Sequence, residues 1–517
     1  MTEENEEIQP FTFNLAFFIT LYFIMTWFGL FPSVLVGYWF FITFPFSFTP
    51  LYLVSLIPLF FVLYGIALLS SLISTKIGIW FVHKRIAYPK LGSFRLLMDE
   101  PQTRAWVLKG NLKNFGRWLY YFFHLEFLRA FWMRRMGVKI GKNVRLGKRI
   151  VDEEFIEIGD NTFMSRDFIT GGHMMDNQYI TIFKSIIGKN CIFKSHSGVV
   201  GGKVGDNSII ENITGVMKGQ ICRGNAIYLD VPCKKVGDND LSQEEIEELK
   251  QNIIDRDKIN WIKQKNAPIK INEAKLFIMK ILTVIGGCLF AFLPPYLYSL
   301  FFQAFYSPAN QLLNIALLTL VPFIFFITIG FFIIGTTLFI KGFIVHYDRK
   351  AEISEGYYEL DDPRAKYFKI KYFLRLFGIR LFHGTPFSIA DTFAMRFWGK
   401  VKFGEFIDME DAIVDPQYLE VGDHSIIATL TRVHTHDIIN GKLYIKTVKI
   451  GKNVMVGGIS HLRPGVEIVD GSVIAAGAWF RKNRKCKRPA LWIGKPAFEL
   501  PLSMVTKSAR LDGKYVD

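Results

Sequence analysis

Apolar and uncharged polar residues run without a single Asp, Glu, Lys or Arg from Phe11 to Thr75, and again from Ile281 to Ile340. A bilayer core takes roughly 20 apolar residues per helix, so each stretch predicts a helical hairpin. The first reads as helices over Phe13–Phe44 and Leu51–Ile73, turning at Pro45 to Pro50. The second reads as Leu276–Phe302 and Gln311–Ile340, turning at Ser307 to Asn310.

After each hairpin the apolar period changes to six. Val421, Ile427 and Val433 keep it, and so do Ile450, Val456, Leu462, Ile468, Ile474 and Phe480. Earlier in the chain Ile187, Phe193 and Val199 do the same; after a slip of one residue, Val204, Ile210 and Val216 follow. A period of six suits neither a helix (3.6) nor simple strand alternation (2.0). It predicts a coil in which every sixth residue stacks inward and three short strands make one triangular turn, as in a parallel β-helix.

The second half re-reads the first. A shift of 263 positions carries Val151 onto Val414, Gly159 onto Gly422, His173 onto His436, Gly188 onto Gly451 and Pro32 onto Pro295. One residue more carries Pro58 onto Pro322. The expected fold is a membrane protein with two tandem parallel β-helix domains, left-handed by the family resemblance given below, and four transmembrane helices in two hairpins, made by internal duplication. Both copies break register alike: 17 residues separate Val433 from Ile450 and Thr170 from Ile187, not a multiple of six. A loop must leave each coil there, at Arg432–Asp437 (R-V-H-T-H-D) and Thr170–Asp176 (T-G-G-H-M-M-D). Excursions from a rigid scaffold are where function concentrates.

The expected domains are an acidic tail (1–10), hairpin 1 (11–82), interfacial and connecting helices (83–136), β-helix 1 (137–237) and an amphipathic linker (238–272). Hairpin 2 (273–346), connecting helices (347–396), β-helix 2 (397–500) and a C-terminal tail (501–517) complete the chain. In the linker, Ser242-x-x-Glu245 predicts a capping box. Lys and Arg at the hairpin exits, as in His83-Lys84-Arg85 and Asp348-Arg349-Lys350, predict a multi-pass protein of the cell membrane with both β-helices cytoplasmic. Phe11 onward lacks a positive n-region and a cleavage site, so no removed signal peptide is expected.

The net charge of +16 fits contact with anionic lipid headgroups. Asn111–Arg135, with Phe115, Trp118, Phe127 and Trp132 among Lys113, Arg117 and Arg129, reads as an interfacial helix. No nucleic-acid-binding motif appears, so membrane lipids rather than nucleic acid are the expected partner. Uncharged hairpins predict anchors rather than a transport path. The five cysteines are scattered, with no CxxC; neither a disulfide framework nor a zinc set follows, which fits a reducing compartment.

The second copy reads V-K-I-G-K-N-V-M-V-G-G (Val448–Gly458), R-P-G-V-E-I-V-D-G-S-V-I-A-A-G-A (Arg463–Ala478) and I-G-K-P-A (Ile493–Ala497). These segments resemble the hexapeptide-repeat acyltransferases, whose fold is a left-handed β-helix. The doubled layout also resembles the membrane-bound terminal domain of certain nonribosomal peptide synthetases, which join amino acids carried as thioesters. The resemblance implies transfer of an acyl group from a coenzyme A or carrier-protein phosphopantetheine thioester to an amine or hydroxyl. The thioester is then a cosubstrate, and no cofactor is tightly bound. Such chemistry needs a base near neutral pH, and His fits it. His436 is the first candidate, His173 its counterpart and His434 the near competitor. Gly457 and Gly458 would line the thioester arm, and Arg481, Lys482 and Lys495, with Lys485 and Lys487 nearby, would meet cofactor phosphates. No Ser or Cys stands in a nucleophile setting, which favours direct transfer.

The first copy departs from this pattern: Asn190–Ser195 (N-C-I-F-K-S) replaces the paired glycines, and Leu229–Cys233 replaces the I-G-K-P-A region. Two other classes stay open. One is a zinc enzyme of the β-helical carbonic anhydrase kind using His434, His436 and His461; the other is a non-catalytic assembly domain. The resembled family builds its sites between neighbouring β-helices, which leaves a homo-oligomer open and predicts that the two copies touch.

Overall fold

The computed structural model describes residues 15–44, 47–123, 125–147, 149–175, 179–259, 269–387, 390–409, 412–502 and 514–516. The acidic tail, Asp176 and linker residues 260–268 lie outside them. Helices α1 (Leu15–Thr43) and α2 (Pro50–Arg85) form the first hairpin. Helices α3 (Pro101–Tyr121) and α4 (Glu126–Met136) lead into the first β-helix, and α5 (Gln243–Ile259) follows it. The second unit has α6 (Glu273–Phe305), α7 (Gln311–Leu318), α8 (Val321–Lys350), α9 (Pro363–His383) and α10 (Ala390–Trp398) before its β-helix.

Among the described residues four segments are long and apolar enough to cross a membrane: Ile19–Thr43, Tyr52–Arg85, Glu273–Phe305 and Gln311–Lys350. The last is not one helix. It breaks at Thr319-Leu320, and Pro322, which has no N–H to donate, starts α8 in the first turn, where helices tolerate it. The two hairpins touch: the Tyr22 ring lies 5.4 Å from Phe326, and Trp27 Nε1–H donates to the Thr319 carbonyl at 3.1 Å.

The Asn111–Arg135 segment is not one continuous helix. It splits between α3 and α4, Phe115 and Trp132 are buried in protein, and Lys113, Arg117 and Arg129 bond the start of the β-helix, whereas Arg135 is exposed over Phe131. Lys113 Nζ bonds Glu153 Oε2 at 2.8 Å and Glu154 Oε2 at 3.0 Å, while Arg117 reaches Glu153 Oε1 at 3.0 Å. Helices α3–α4 and α9–α10 are therefore platforms wedged between hairpin and coil. Each closes on a buried indole: a Cβ on Gly116 would lie 2.3 Å from the Trp132 ring, and one on Gly378 would lie 2.3 Å from Trp398.

Above the platforms the chain coils. In the second unit Ile450 pairs in parallel with Ile468, Val456 with Ile474 and Leu462 with Phe480, each three hexapeptides further on. These residues are all buried in one core, as the period of six requires. In the first unit Ile187, Phe193 and Val199 pair with Val204, Ile210 and Val216, so that coil is one residue shorter. Its turns carry a ladder of stacked amides, Asn143–Asn161–Asn190–Asn207–Asn225, with each asparagine in the left-handed conformation that Asn tolerates.

Both excursions are β-hairpins rather than bare loops. His436–Ile439 pairs with Lys442–Ile445 across Asn440-Gly441, two positive-φ residues suited to a two-residue hairpin turn. Gly356–Glu359 adds a third strand. In the first unit His173–Met175 and Tyr179–Ile182 do the same, with Gly92–Arg95 alongside. The capping box is present: Ser242 N–H donates to Glu245 Oε2 at 2.8 Å, and Glu245 N–H to Ser242 Oγ at 3.3 Å. Helix α5 is more than a connector, since Ile253 packs on Phe163, Ile192 and Ile209 of the first coil. The tail expected over 501–517 is also modified, because Lys514–Val516 pairs in parallel with Gln220–Cys222.

Candidate active site

The excursion aims His436 back at the first coil of its own β-helix. There Asp415, side chain 1% exposed, accepts from His436 Nδ1 at 2.9 Å, Thr435 Oγ1 at 2.8 Å and Gln417 N–H at 3.2 Å. Burial alone would raise the Asp415 carboxyl; His436, Arg375 and Thr435 outweigh it and hold it at about 2. A carboxylate on Nδ1 fixes the tautomer, leaving Nε2 as the nitrogen for proton transfer. Helix α9 walls the site, with Phe368 and Tyr372 edge-on to the imidazole at 4.9 and 4.8 Å. Burial pushes the Tyr372 phenol up to about 12.

The first unit builds the same pair. His173 Nδ1 contacts Asp152 Oδ2, and the Trp106 indole, 4.7 Å from the imidazole, donates to Asp152 Oδ1 at 2.8 Å. Gly172 N–H adds a third bond at 3.1 Å. Burial raises the Asp152 carboxyl, but His173, Trp106 and Lys113 together hold it below the usual carboxylate range. The sequence reading missed both aspartates. They were within reach, since the shift of 263 that aligns Val151 with Val414 puts Asp152 on Asp415. It also missed the wall: a shift of 262 puts Trp106 on Phe368 and Lys113 on Arg375.

His434 has a different setting. Burial pushes its imidazole down to about 4, with His436 and Arg432 adding to the effect, and no carboxylate bond is seen on it among the described residues. Burial takes His461 to about 3, and its ring lies over Trp479 at 5.4 Å. The His434 and His436 rings stand perpendicular, 6.4 Å apart. Among the described residues no three His, Cys, Asp or Glu groups gather as a metal set, so the three histidines of the zinc alternative are not brought together.

Gly457 and Gly458 sit where one coil turn crosses the next. A Cβ on Gly457 would lie 2.5 Å from Ala476 N, so close coil stacking already demands this glycine. Arg481 and Lys482 are exposed on the turn after Phe480. Lys485 pairs with Glu467 at 3.2 Å, and Lys487 is exposed. Lys495 lies elsewhere, with Nζ donating to the Ile213 carbonyl of the first β-helix.

That bond belongs to a seam between the two β-helices. Arg432 donates to His196 Nε2 at 2.5 Å, and Asp167 lies 3.8 Å from the same nitrogen. Ile169, Leu430 and Ile459 form a shared apolar cluster. The expected contact between copies is present, and Arg432 at the seam stands four residues before His436.

Against this geometry, the family model described as the hexapeptide repeat of succinyl-transferase matches residues 185–212 and 447–479, one segment in each β-helix. Both β-helices thus carry the hexapeptide repeat that this family model describes. The Bacillus subtilis protein named "Putative acetyltransferase YvoF" is 31% identical over 110 residues, covering 20% of this chain and 63% of that one. The delta-poly-L-ornithine synthetase of Acinetobacter baumannii is 27% identical over 125 residues, 24% of this chain and 9% of the synthetase. The chain thus spans less than two thirds of either relative. A maltose O-acetyltransferase from Clostridium difficile 630 aligns with 28% of this chain and 92% of its own at 22% identity, TM-score 0.22. A galactoside acetyltransferase in complex with coenzyme A aligns with 25% of this chain and 80% of its own at 21% identity, TM-score 0.18. Both matched segments lie within the coils; hairpins and platforms lie outside them.

Proposed function

We propose that this chain is a membrane-bound acyltransferase that moves an acyl or aminoacyl group from a coenzyme A or carrier-protein thioester to an amine or hydroxyl. The observation that carries the reading is the buried Asp415–His436 pair, at the excursion of a hexapeptide-repeat coil. His436 Nε2 takes the acceptor's proton as its nitrogen or oxygen attacks the thioester carbonyl. The C–S bond breaks as the tetrahedral intermediate collapses, and the departing thiolate takes that proton from His436. Asp415 steadies the imidazolium that exists between the two steps, and the base contributes roughly 10² to 10⁴ in rate. His173 with Asp152 forms a second site of the same kind.

Two left-handed β-helices on four membrane spans, related by internal duplication and facing the cytoplasm, complete the proposal. The matching element order of the two units supports the duplication. The partial likeness to a poly-ornithine synthetase favours an aminoacyl donor on a carrier protein and an amine acceptor. The test is transfer by the purified chain in nanodiscs, from radiolabelled acetyl-coenzyme A and then aminoacyl carrier protein, to amine and hydroxyl acceptors. Transfer from neither thioester to any acceptor rejects the function. Cysteines placed at Asp206 and Asp470 are expected to label from the cytoplasmic side alike, and opposite labelling rejects the arrangement of spans.

A further inference from the structure

Behind the Asp415 carboxylate stands an arginine that the base chemistry above does not use. Arg375, on the platform helix α9, is 1% exposed. Its Nε–H donates to the Trp398 carbonyl at 2.7 Å, which fixes the guanidinium. Nη1 is buried, makes no hydrogen bond among the described residues, and lies 3.8 Å from Asp415 Oδ1. A buried cation aimed at one carboxylate and otherwise unspent at that nitrogen calls for a reason, because such groups are costly without a counter-charge. We propose that Arg375 is a positioning residue that keeps Asp415 ionised while His436 is neutral, so that the platform helix, not the β-helix alone, sets the protonation of the site.

The argument is charge balance. The base-competent form of the pair is neutral His436 beside ionised Asp415, a net negative charge in a buried place. With Arg375 the group is neutral overall. Without it, the pair relieves its charge by taking up a proton, on either residue, and ceases to be a base. Other charged and titratable groups surround the pair; Lys369 also feels the Asp415 charge, and the buried Lys371 is spent on Asp348. Lys369 and Tyr372 share α9, Arg432 and His434 lead into the excursion, Tyr418 follows Asp415, and Asp348 lies in the last turn of α8 near Arg375. Thr435 and Gln417 hold the carboxylate with neutral donors only. The first unit solves the problem otherwise: its counterpart Lys113 bonds Glu153 and Glu154, and Asp152 takes the neutral Trp106 indole instead.

This inference rests on the general-base reading for its activity arm alone; a chemical probe carries the other arm. Diethyl pyrocarbonate modifies neutral imidazole, and its rate at His436 can be followed by peptide mass spectrometry on the full chain in nanodiscs from about pH 5 to 9. Arg375→Met is expected to move the midpoint up by about one to three pH units, as loss of a nearby opposite charge does. Asp415→Asn is expected to move it down, because Arg375 then faces His436 uncompensated. Arg375→Lys, which retains the charge and most of the bulk, is expected to stay near the natural chain and guards against a Met variant that fails to fold. In acyl transfer, Arg375→Met is expected to lose kcat near neutral pH, to regain it as pH passes the new midpoint, and to keep the KM for the donor. A midpoint unmoved in Arg375→Met, or moved as far in Arg375→Lys, overturns the proposal. So does an activity loss equal at every pH. A shifted midpoint with transfer untouched upholds the Arg375–Asp415–His436 relation and removes His436 from the role of base.

Discussion

The two units share a site and differ in what stands behind it. Each holds a histidine on a hairpin that leaves the coil, ties its Nδ1 to a buried aspartate, and covers the imidazole with an aromatic ring from a platform helix. Behind the carboxylate they part. The second unit places the Arg375 cation against Asp415, whereas the first spends Lys113 and Arg117 on Glu153 and Glu154 and gives Asp152 an indole N–H. Their coils differ too: Lys194 and Ser195 stand where the second unit has Gly457 and Gly458. Both keep the minimum for an oriented imidazole; on the proposed reading, the differences set how strongly that imidazole is held as a base and what can lie beside it.

The sharpest way to break the comparison is at the carboxylates. Asp415→Asn offers Nδ1 an N–H in place of an acceptor, turns the tautomer and protonates Nε2. Turnover is expected to fall by about 10²-fold or more. Asp152→Asn is expected to cost less, because the first unit lacks the paired glycines of the second. Rates measured on both variants decide it, and equal losses would make the two sites equivalent.

The coils offer a smaller effect, read in stability. Gly457→Val forces a side chain against Ala476 N and is expected to cost about 1–3 kcal/mol by overpacking. Lys194→Gly in the first unit is expected to change the unfolding midpoint far less. Denaturant or thermal unfolding compares them, and equal shifts would mean that the coils stack alike.

The buried histidine beside the site gives the smallest. His434 is held neutral at about 4, below its unfolded value of about 6.5, so the unfolded chain binds more protons between those values. Its contribution is fully present above pH 6.5 or so and is lost as pH falls toward 4. His461 acts in the same direction, to about 3. Stability is expected to decline over that window, and His434→Gln to flatten the decline. A slope unchanged in the variant would show that His434 is not responsible.

Much of the fold was legible because its period is local. Six-residue spacing predicted Ile450 through Phe480 as inward residues, and all are buried. The break between Val433 and Ile450 located the excursion, and Asn440-Gly441 marked its turn in the sequence although it was read only as a loop. Local spacing misled where the partner was distant. Lys113 and Arg117 looked like headgroup ligands because Glu153 lies some forty residues away, across the start of the coil. Arg432 and His196 are 236 residues apart, and no periodicity joins them. Asp415 was missed for a plainer reason: it lies inside the aligned segment, one residue past Val414, but belongs to no periodic position or motif. Trp106 and Phe368 share a place but neither a residue type nor the register of the main shift, so their common role appears only when each ring is seen against its histidine.

The central claim is that His436 is the base. Acyl transfer from a working thioester donor should be measured for the natural chain, His436→Ala and His173→Ala, with each variant first shown to be folded. The account predicts at least a roughly 10²-fold fall in turnover for His436→Ala, with a smaller one for His173→Ala. Turnover unchanged in His436→Ala and lost in His173→Ala would contradict it and move the catalyst to the first unit; no loss in either would remove general-base catalysis by these histidines altogether.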